Sequence, residues 1–312
     1  MVQLYEFTQY ISPDGEVYRF ETDDKFLISE TGFGMPPISY ITQRSPIQHG
    51  ETAIDFRLNP RVIQLVHRRN GCSREEYWAN RSALLNVIRP NRANYYGRSY
   101  PPLLQHGKLR KIFKDGSMRD LDVVIEQGPE FVARDPSRWD EWAFTETLRF
   151  IAHDPILYDP VEKSQVWTLA LDSELEFEIT FPIRFGDQAV NTNTDITYLG
   201  SWLSYPRFVI QGPTTGFYIE NTTTEEVLRY TRRIVNGETV TVGLDFGNKS
   251  IVSSVSGSVI RYLTDDSDLA TFHIAPDPEA PSGVNTFNII LPDPVFGTTA
   301  ITMYWYDRYI GN

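Results

Sequence analysis

From residue 161 onward the chain is a succession of short alternating runs separated by turn signals, and this limits its fold more than any other feature. EFEITFPIRF, YPRFVIQG, GFYIENT, EVLRYTRRIV, TVTVGLDF, SSVSGSVIRYL, TFHIA, NTFNIILP and AITMYWYDRYIG follow one another at close spacing. Apolar and polar residues alternating with period two give a strand one face for a core and one for water. No segment of this half is long enough for an amphipathic helix. Many short strands joined by turns specify a β-sandwich or barrel.

The first half is also rich in strands but carries one helix. PDGE between YEFTQYIS and VYRFE is a hairpin signal, because Pro13 presets φ and Gly15 accepts the positive φ of a tight turn. KDGS is a second hairpin turn, and WAFTETLRFIAHDP is a long alternating strand. Ser73-Arg74-Glu75-Glu76 is a capping box, in which the Ser73 side chain accepts from the N–H of Glu76. Tyr77, Trp78, Leu84, Leu85 and Ile88 then recur at helical spacing and are assigned to a core, and Arg89-Pro90-Asn91 stops the helix. HDPILYDPVEK, with two Asp-Pro steps, breaks the pattern and marks a domain boundary near residue 160. The expected fold is mainly β with two domains. Residues 1–160 form a β-sandwich or split barrel with one α-helix over about 74–88 and a protruding β-arm over about 44–68. Residues 161–312 form a β-sandwich.

The arm rests on PIQHGETAIDFRLNPRVIQLV, residues 46–66. Ile54, Phe56 and Leu58 alternate with Ala53, Asp55 and Arg57, and the pattern resumes after Asn59–Pro60. A proline inside a long strand belongs at an edge or a bulge, so the ribbon is expected to bend and to keep an edge free for another chain. Residues 55–100 hold nine arginines against Asp55, Glu75 and Glu76 as the only acids. Guanidinium forks on an open ribbon suit a head-to-tail contact with a second copy, whose carboxylates would receive them.

Several chemistries are excluded by residue type and spacing. The single cysteine, Cys72, allows neither an intramolecular disulfide nor a cysteine metal cage, and it is assigned as a small buried residue. His49, His67, His106, His153 and His273 are dispersed, with no His-x-x-x-His pair and no nucleophile elbow. GLDFGNKS at 243–250 resembles a phosphate loop, but Asn248 stands where glycine is needed and a strand follows. NTNTDI at 191–196 starts like a calcium loop, but Ile196 replaces the turn glycine and Trp202 the closing glutamate, so it is read as a polar loop. DDSD at 265–268 is read as a solvated turn. Asp140 and Glu141 are neighbours on a strand, point to opposite faces, and cannot flank one glycosidic bond. The formal charge is −12, of which −10 falls after residue 160, where tight binding to nucleic acid is disfavoured. No signal peptide and no run of about 20 apolar residues is visible, so a soluble product made in the cytosol is expected. No enzyme activity and no cofactor are expected.

The stretch GMPPISYITQRSPIQHGETAIDFRLNPRVIQLVHRRNGCSREEYWANRSALLNVIRP resembles the N-terminal signature of siphophage distal tail proteins: a Pro-rich segment, a Gln-His-Gly turn, an Arg-Leu-x-Pro-Arg ribbon, and a Ser-x-x-Glu helix with a tryptophan. RFIAHDPILYDP is similar to the step that closes that family's first domain. YPRFVIQGP, FYIENTTTEEVLRY, NGETVTVGLDFGNKSIVS, GSVIRYLTDDSDLATFHIAP, SGVNTFNIIL and YWYDRYIG follow the family's order, so the resemblance runs from about Gly32 to Gly311. APDPEAPSG at 275–283 departs from it by replacing a short Pro-Gly lead-in.

The resemblance implies a structural virion protein of the phage tail tip. It would form a homohexameric ring that joins the tail tube protein to the baseplate hub and the host-adhesion apparatus, with receptor-binding proteins or fibres attached. DNA would pass the lumen without specific binding, which neutral or acidic walls favour. It also implies that the second domain is a peripheral galectin-like sandwich. Gln48, His49, Arg57, Pro60, Arg61, Arg68 and Arg69 are the candidate subunit-interface residues. An alternative is a host-surface carbohydrate-binding module using Trp202, Tyr205, Trp305 and Tyr306, since sugars stack on aromatic faces. A third reading is a contractile or domesticated phage-like particle.

Overall fold

The computed structural model describes residues 6–71, 73–89, 106–130, 142–168, 190–245, 247–295 and 297–311. Cys72, Asp140 and Glu141 lie outside these residues. The strands in chain order are β1 (Phe7–Ile11), β2 (Val17–Arg19), β3 (Lys25–Thr31), β4 (Ile38–Gln43), β5 (Thr52–Leu58) and β6 (Arg61–Gly71). Helix α1 (Arg74–Ile88) follows, then β7 (Gly107–Ile112), β8 (Met118–Gln127), β9 (Trp142–Ala152), β10 (Leu157–Tyr158) and β11 (Lys163–Thr168). The remainder is β12 (Val190–Thr197), β13 (Arg207–Gln211), β14 (Phe217–Asn221), β15 (Glu226–Tyr230), β16 (Thr239–Gly243), β17 (Ser250–Ser253), β18 (Gly257–Ser258), β19 (Val284–Leu291), β20 (Ala300–Trp305) and β21 (Arg308–Tyr309). The protein is mainly β.

The chain divides into two compact units, Met1–Pro160 with Tyr309–Asn312, and Val161–Arg308. The second domain was expected to run to residue 312. The last four residues instead belong to the first unit, where the Tyr309 ring lies 3.7 Å from the Arg119 guanidinium and Gly311 packs on Gly34.

In the first unit a nine-stranded sheet runs β2-β1-β7-β8-β9-β6-β3, with β10 on β8 and β21 on β10. The sheet curls until Thr8 Oγ1 on β1 donates to Glu30 Oε2 on β3 at 2.7 Å, and Lys111 on β7 pairs with Glu30 and Glu6. Among the described residues the ladder stays open, with β2 and β3 as its ends. Tyr10, Phe20, Ile63, Leu65, Leu109, Leu121, Leu148 and Phe150 fill the concave side with Leu84 and Ile88 of α1. Ser73 Oγ accepts from the Glu76 N–H at 3.2 Å and starts the helix. Trp78 and Leu85, assigned above to the core, are 52% and 45% exposed. Leu84 and Ile88 take the inward face, which leaves positions 78 and 85 on the outward one.

Two buried titratable groups lie opposite one another in that sheet, His67 on β6 and Glu146 on β9. Burial holds the Glu146 carboxyl up at about 7, against the pull of Arg81, and holds the His67 imidazole down at about 4, with Lys25 and Arg69 adding repulsion. A raised carboxyl contributes its stability in full below the usual carboxylate range and loses it as pH rises through 7. Glu146→Gln is therefore expected to stabilise the unit by about 2 kcal/mol at pH 8 and by little at pH 5. Urea unfolding at the two pH values checks this.

The second unit is a sandwich of a six-stranded sheet, β11-β20-β13-β16-β17-β18, and a four-stranded sheet, β12-β19-β14-β15. Phe208, Ile210, Val240, Val242, Ile301 and Met303 from the first sheet meet Ile196, Phe217, Ile219, Leu228, Phe287 and Ile289 from the second. NTNTDI, expected as a loop, lies within β12, where each residue pairs with β19. In the GLDFGNKS stretch Gly243 ends β16 and Ser250 starts β17, and between them the Asn248 N–H donates to Asp245 O at 3.0 Å.

Candidate assembly surface

The arm is a two-stranded sheet of β4 and β5 that pairs with no other strand among the described residues. It spans residues 38–58 rather than 44–68, because β6 runs between β3 and β9 inside the large sheet. Asn59–Pro60 ends the arm instead of bending it, and the Asn59 N–H donates to Pro37 O at 2.8 Å to close the root. At the tip Gln48 Oε1 accepts from the Ser45 N–H and Gln48 Nε2 donates to Thr52 Oγ1. Gly50 supplies the positive φ that brings the chain back.

Register sorts the arm's side chains. Ile38 lies opposite Leu58 and Tyr40 opposite Phe56 on one face, with Ile54 at a bulge. Ser39, Ile41, Asp55 and Arg57 occupy the other. Almost every side chain of the arm is exposed: Tyr40 is 65% exposed and Ile47 92%, with Ile54 and Phe56 also in solvent. An isolated two-stranded hairpin is marginal in water, so one that carries this much apolar surface is suited to being covered.

The expected interface residues fall into two groups. Gln48, His49, Arg57 and Pro60 sit on the arm or at its root; all but the half-buried Gln48 are exposed. Arg68 and Arg69 are half-buried on β6, and Arg69 pairs with Asp24 of its own chain at 3.1 Å. Arg61 cannot serve a neighbour, being 1% exposed. Its Nη1 donates to Phe33 O at 3.0 Å and to Gly32 O at 3.3 Å, and its Nη2 to Ile310 O at 2.6 Å. Burial lowers its pKa to about 10, with Asp154 opposing the shift. Arg61 thus ties together the segment entering the arm, the start of β6 and the chain's end.

The four aromatics of the second unit do not form a shared platform. Trp305 is 6% exposed and belongs to the core. Tyr205 packs partly against that core and carries Lys249 Nζ 4.2 Å from its ring centroid. Trp202 is half-buried, and its N–H donates to Arg308 O at 3.1 Å. Tyr306 alone of the four is exposed. Tyr40 and Ile47 of the arm and Trp78 and Leu85 of the helix are further exposed apolar side chains of the first unit, which the sequence reading did not single out as surface.

The described residues hold no cluster of metal-ligating side chains and no helix long and apolar enough to cross a membrane. This β-rich architecture has a solved counterpart. It matches the crystal structure of the SPP1 Dit (gp 19.1) protein, described as a paradigm of the hub adsorption apparatus in phages infecting Gram-positive hosts. The match has a TM-score of 0.61 and 14% identity, and covers 98% of this chain and 99% of that one. A chain of the phage P2 baseplate in its activated conformation with Ca matches with a TM-score of 0.48 and 9% identity, over 97% of this chain and 98% of that one. No family model and no curated protein matches the sequence.

Proposed function

We propose that this chain is a structural protein of a phage tail tip, without catalytic activity. It assembles through its first unit into a homohexameric ring that joins the tail tube to the baseplate hub and host-adhesion apparatus. The observation that supports this most is the arm, which adds nothing to its own core, exposes both faces and has an apolar side. A fold shared with a phage hub protein along the whole chain supports the same reading. A head-to-tail contact made by such an arm closes into a ring when its rotation divides a full turn. The second units then face outward for adhesins, and the lumen passes DNA without binding it. Light scattering on the purified chain is the test: a mass six times the 35.9 kDa of one chain is expected. A monomer at every concentration up to about 100 μM, well above the usual range of specific assembly, overturns the reading.

A further inference from the structure

APDPEAPSG, residues 275–283, departs from the family resemblance, and in the structure it packs beside a histidine. His273 stands between Phe272 and Ile274, both fully buried, and its own side chain is 13% exposed. The backbone fixes its place: the His273 N–H donates to Glu226 Oε2 at 2.9 Å, and His273 O accepts from Asn221 Nδ2 at 3.0 Å. The imidazole lies between two carboxylates. Its Nδ1 is 3.0 Å from Glu226 Oε2 on β15 and 3.0 Å from Thr271 O, and its Nε2 is 3.3 Å from Glu279 Oε1.

These three partners are all acceptors, so every contact is a hydrogen bond only when both nitrogens carry protons. A neutral imidazole has one N–H and serves one side. The two sides are unequal. Glu226 is buried and also accepts from Thr224 Oγ1 at 3.0 Å, which fixes its carboxylate. Glu279 is half exposed and its contact is the longer one. The Nε2 proton is therefore the one given up, and the lone pair left behind faces the Glu279 carboxylate.

Four segments bring charge to this place. Glu226 comes from β15 and Glu279 from the 275–283 segment. Lys249, just before β17, is attracted by Asp245 and Glu226. Asp268, upstream of His273, accepts from the Val227 N–H at 2.9 Å. Burial opposes the charged imidazole, but the bond and charge of Glu226, with Thr271 O and Glu279, outweigh it and hold the His273 pKa above the usual histidine value. Burial of Glu226 is likewise outweighed by His273, and its pKa lies below the usual carboxylate value. The ends of the 275–283 segment are pinned independently. The Asn285 side chain bonds Ala275 N and Ala275 O at 2.9 Å each, and the Tyr198 N–H donates to Gly283 O at 2.8 Å. Between the pins, Glu279 reaches back from the outside of the turn to His273.

We propose that His273 is a pH-operated latch on this segment: as the imidazolium it bridges Glu226 to Glu279, and on losing its Nε2 proton it releases Glu279 and its neighbours. Because the pKa is raised, the latch is in force at and below the usual histidine range and is lost as pH rises through the raised value. It lies within the second unit and does not depend on assembly of the chain.

The full chain labelled with 15N-histidine tests it, the His273 signals being assigned by their loss in His273→Gln. His273 is expected to titrate at higher pH than the exposed His49 and His153, and to end as the Nδ1–H tautomer. Glu279→Gln is expected to move that midpoint to lower pH while the melting temperature stays within about 2 °C of the parent, as befits an exposed ion-pair partner. Hydrogen exchange across 275–283, corrected for its intrinsic pH dependence, is expected to be about three-fold or more faster above the midpoint than below it in the parent, and equal on both sides in Glu279→Gln. A His273 midpoint at or below those of the exposed histidines, a midpoint that Glu279→Gln leaves in place, or parental exchange that is the same on both sides each overturns the latch.

Discussion

Arg61→Ala is expected to lower the stability of the first unit by about 3–5 kcal/mol, a drop of roughly 10 °C in melting temperature. The guanidinium is buried and donates to three backbone carbonyls on two separate segments, Gly32 and Phe33 before the arm and Ile310 at the chain's end. Removing it leaves those carbonyls without their donor and opens a cavity where a large side chain stood. Arg61→Lys should recover little, because one ammonium cannot address three carbonyls arranged for a planar fork. Deleting residues 309–312 should act in the same direction, since it takes Ile310 O from a charge that is already buried and strips the Tyr309 ring from Arg119. Arg57→Ala, four residues away on the exposed arm, should change stability by less than about 0.5 kcal/mol. Thermal melts of the four variants decide the matter. An Arg61→Ala protein as stable as the parent would show that the clamp carries no weight.

That contrast between two arginines shows what the sequence could and could not disclose. Arg57 and Arg61 look alike in an alternating run, and only the partners of Arg61, up to 249 residues away, separate them. The helix was legible because its signals are local: a cap at Ser73, apolar spacing, and Arg89-Pro90 at the end. Its orientation was not. Positions 77, 84 and 88 and positions 78 and 85 both recur at helical spacing, and the packing against β6 and β9 decides which set is buried. The arm's chemistry was legible in PIQHGETAIDFRL, but its limits depend on which strand pairs with which. β6 reads as a continuation of β5, yet the large sheet claims it at Pro60. NTNTDI was read as a loop because its residues are polar, although pairing with β19 makes it a strand. Trp305 could have been placed correctly, since in AITMYW it keeps step with Ile301 and Met303, both fully buried.

Removing the arm should abolish assembly and leave the fold intact. Asn59 N and Pro37 O already stand 2.8 Å apart, so residues 38–58 can be replaced by a two-residue Gly-Gly turn without pulling the root open. The arm places no residue in the core of the first unit, and Arg61, which does stabilise that unit, lies beyond the deletion. The melting temperature is therefore expected to stay within a few degrees of the parent, while light scattering falls from the ring to a single chain. The two readouts separate the possible roles of this segment. An arm that serves only its own chain would lower the melt on removal, and its loss would leave the association state unchanged. An arm that serves a neighbour does the reverse: its exposed Tyr40, Ile47, Ile54 and Phe56 contribute burial only when a second copy covers them, so their removal is silent in the monomer. A variant that lacks residues 38–58 and still assembles to the parent mass would place the subunit contact elsewhere on the unit and overturn the arm's role.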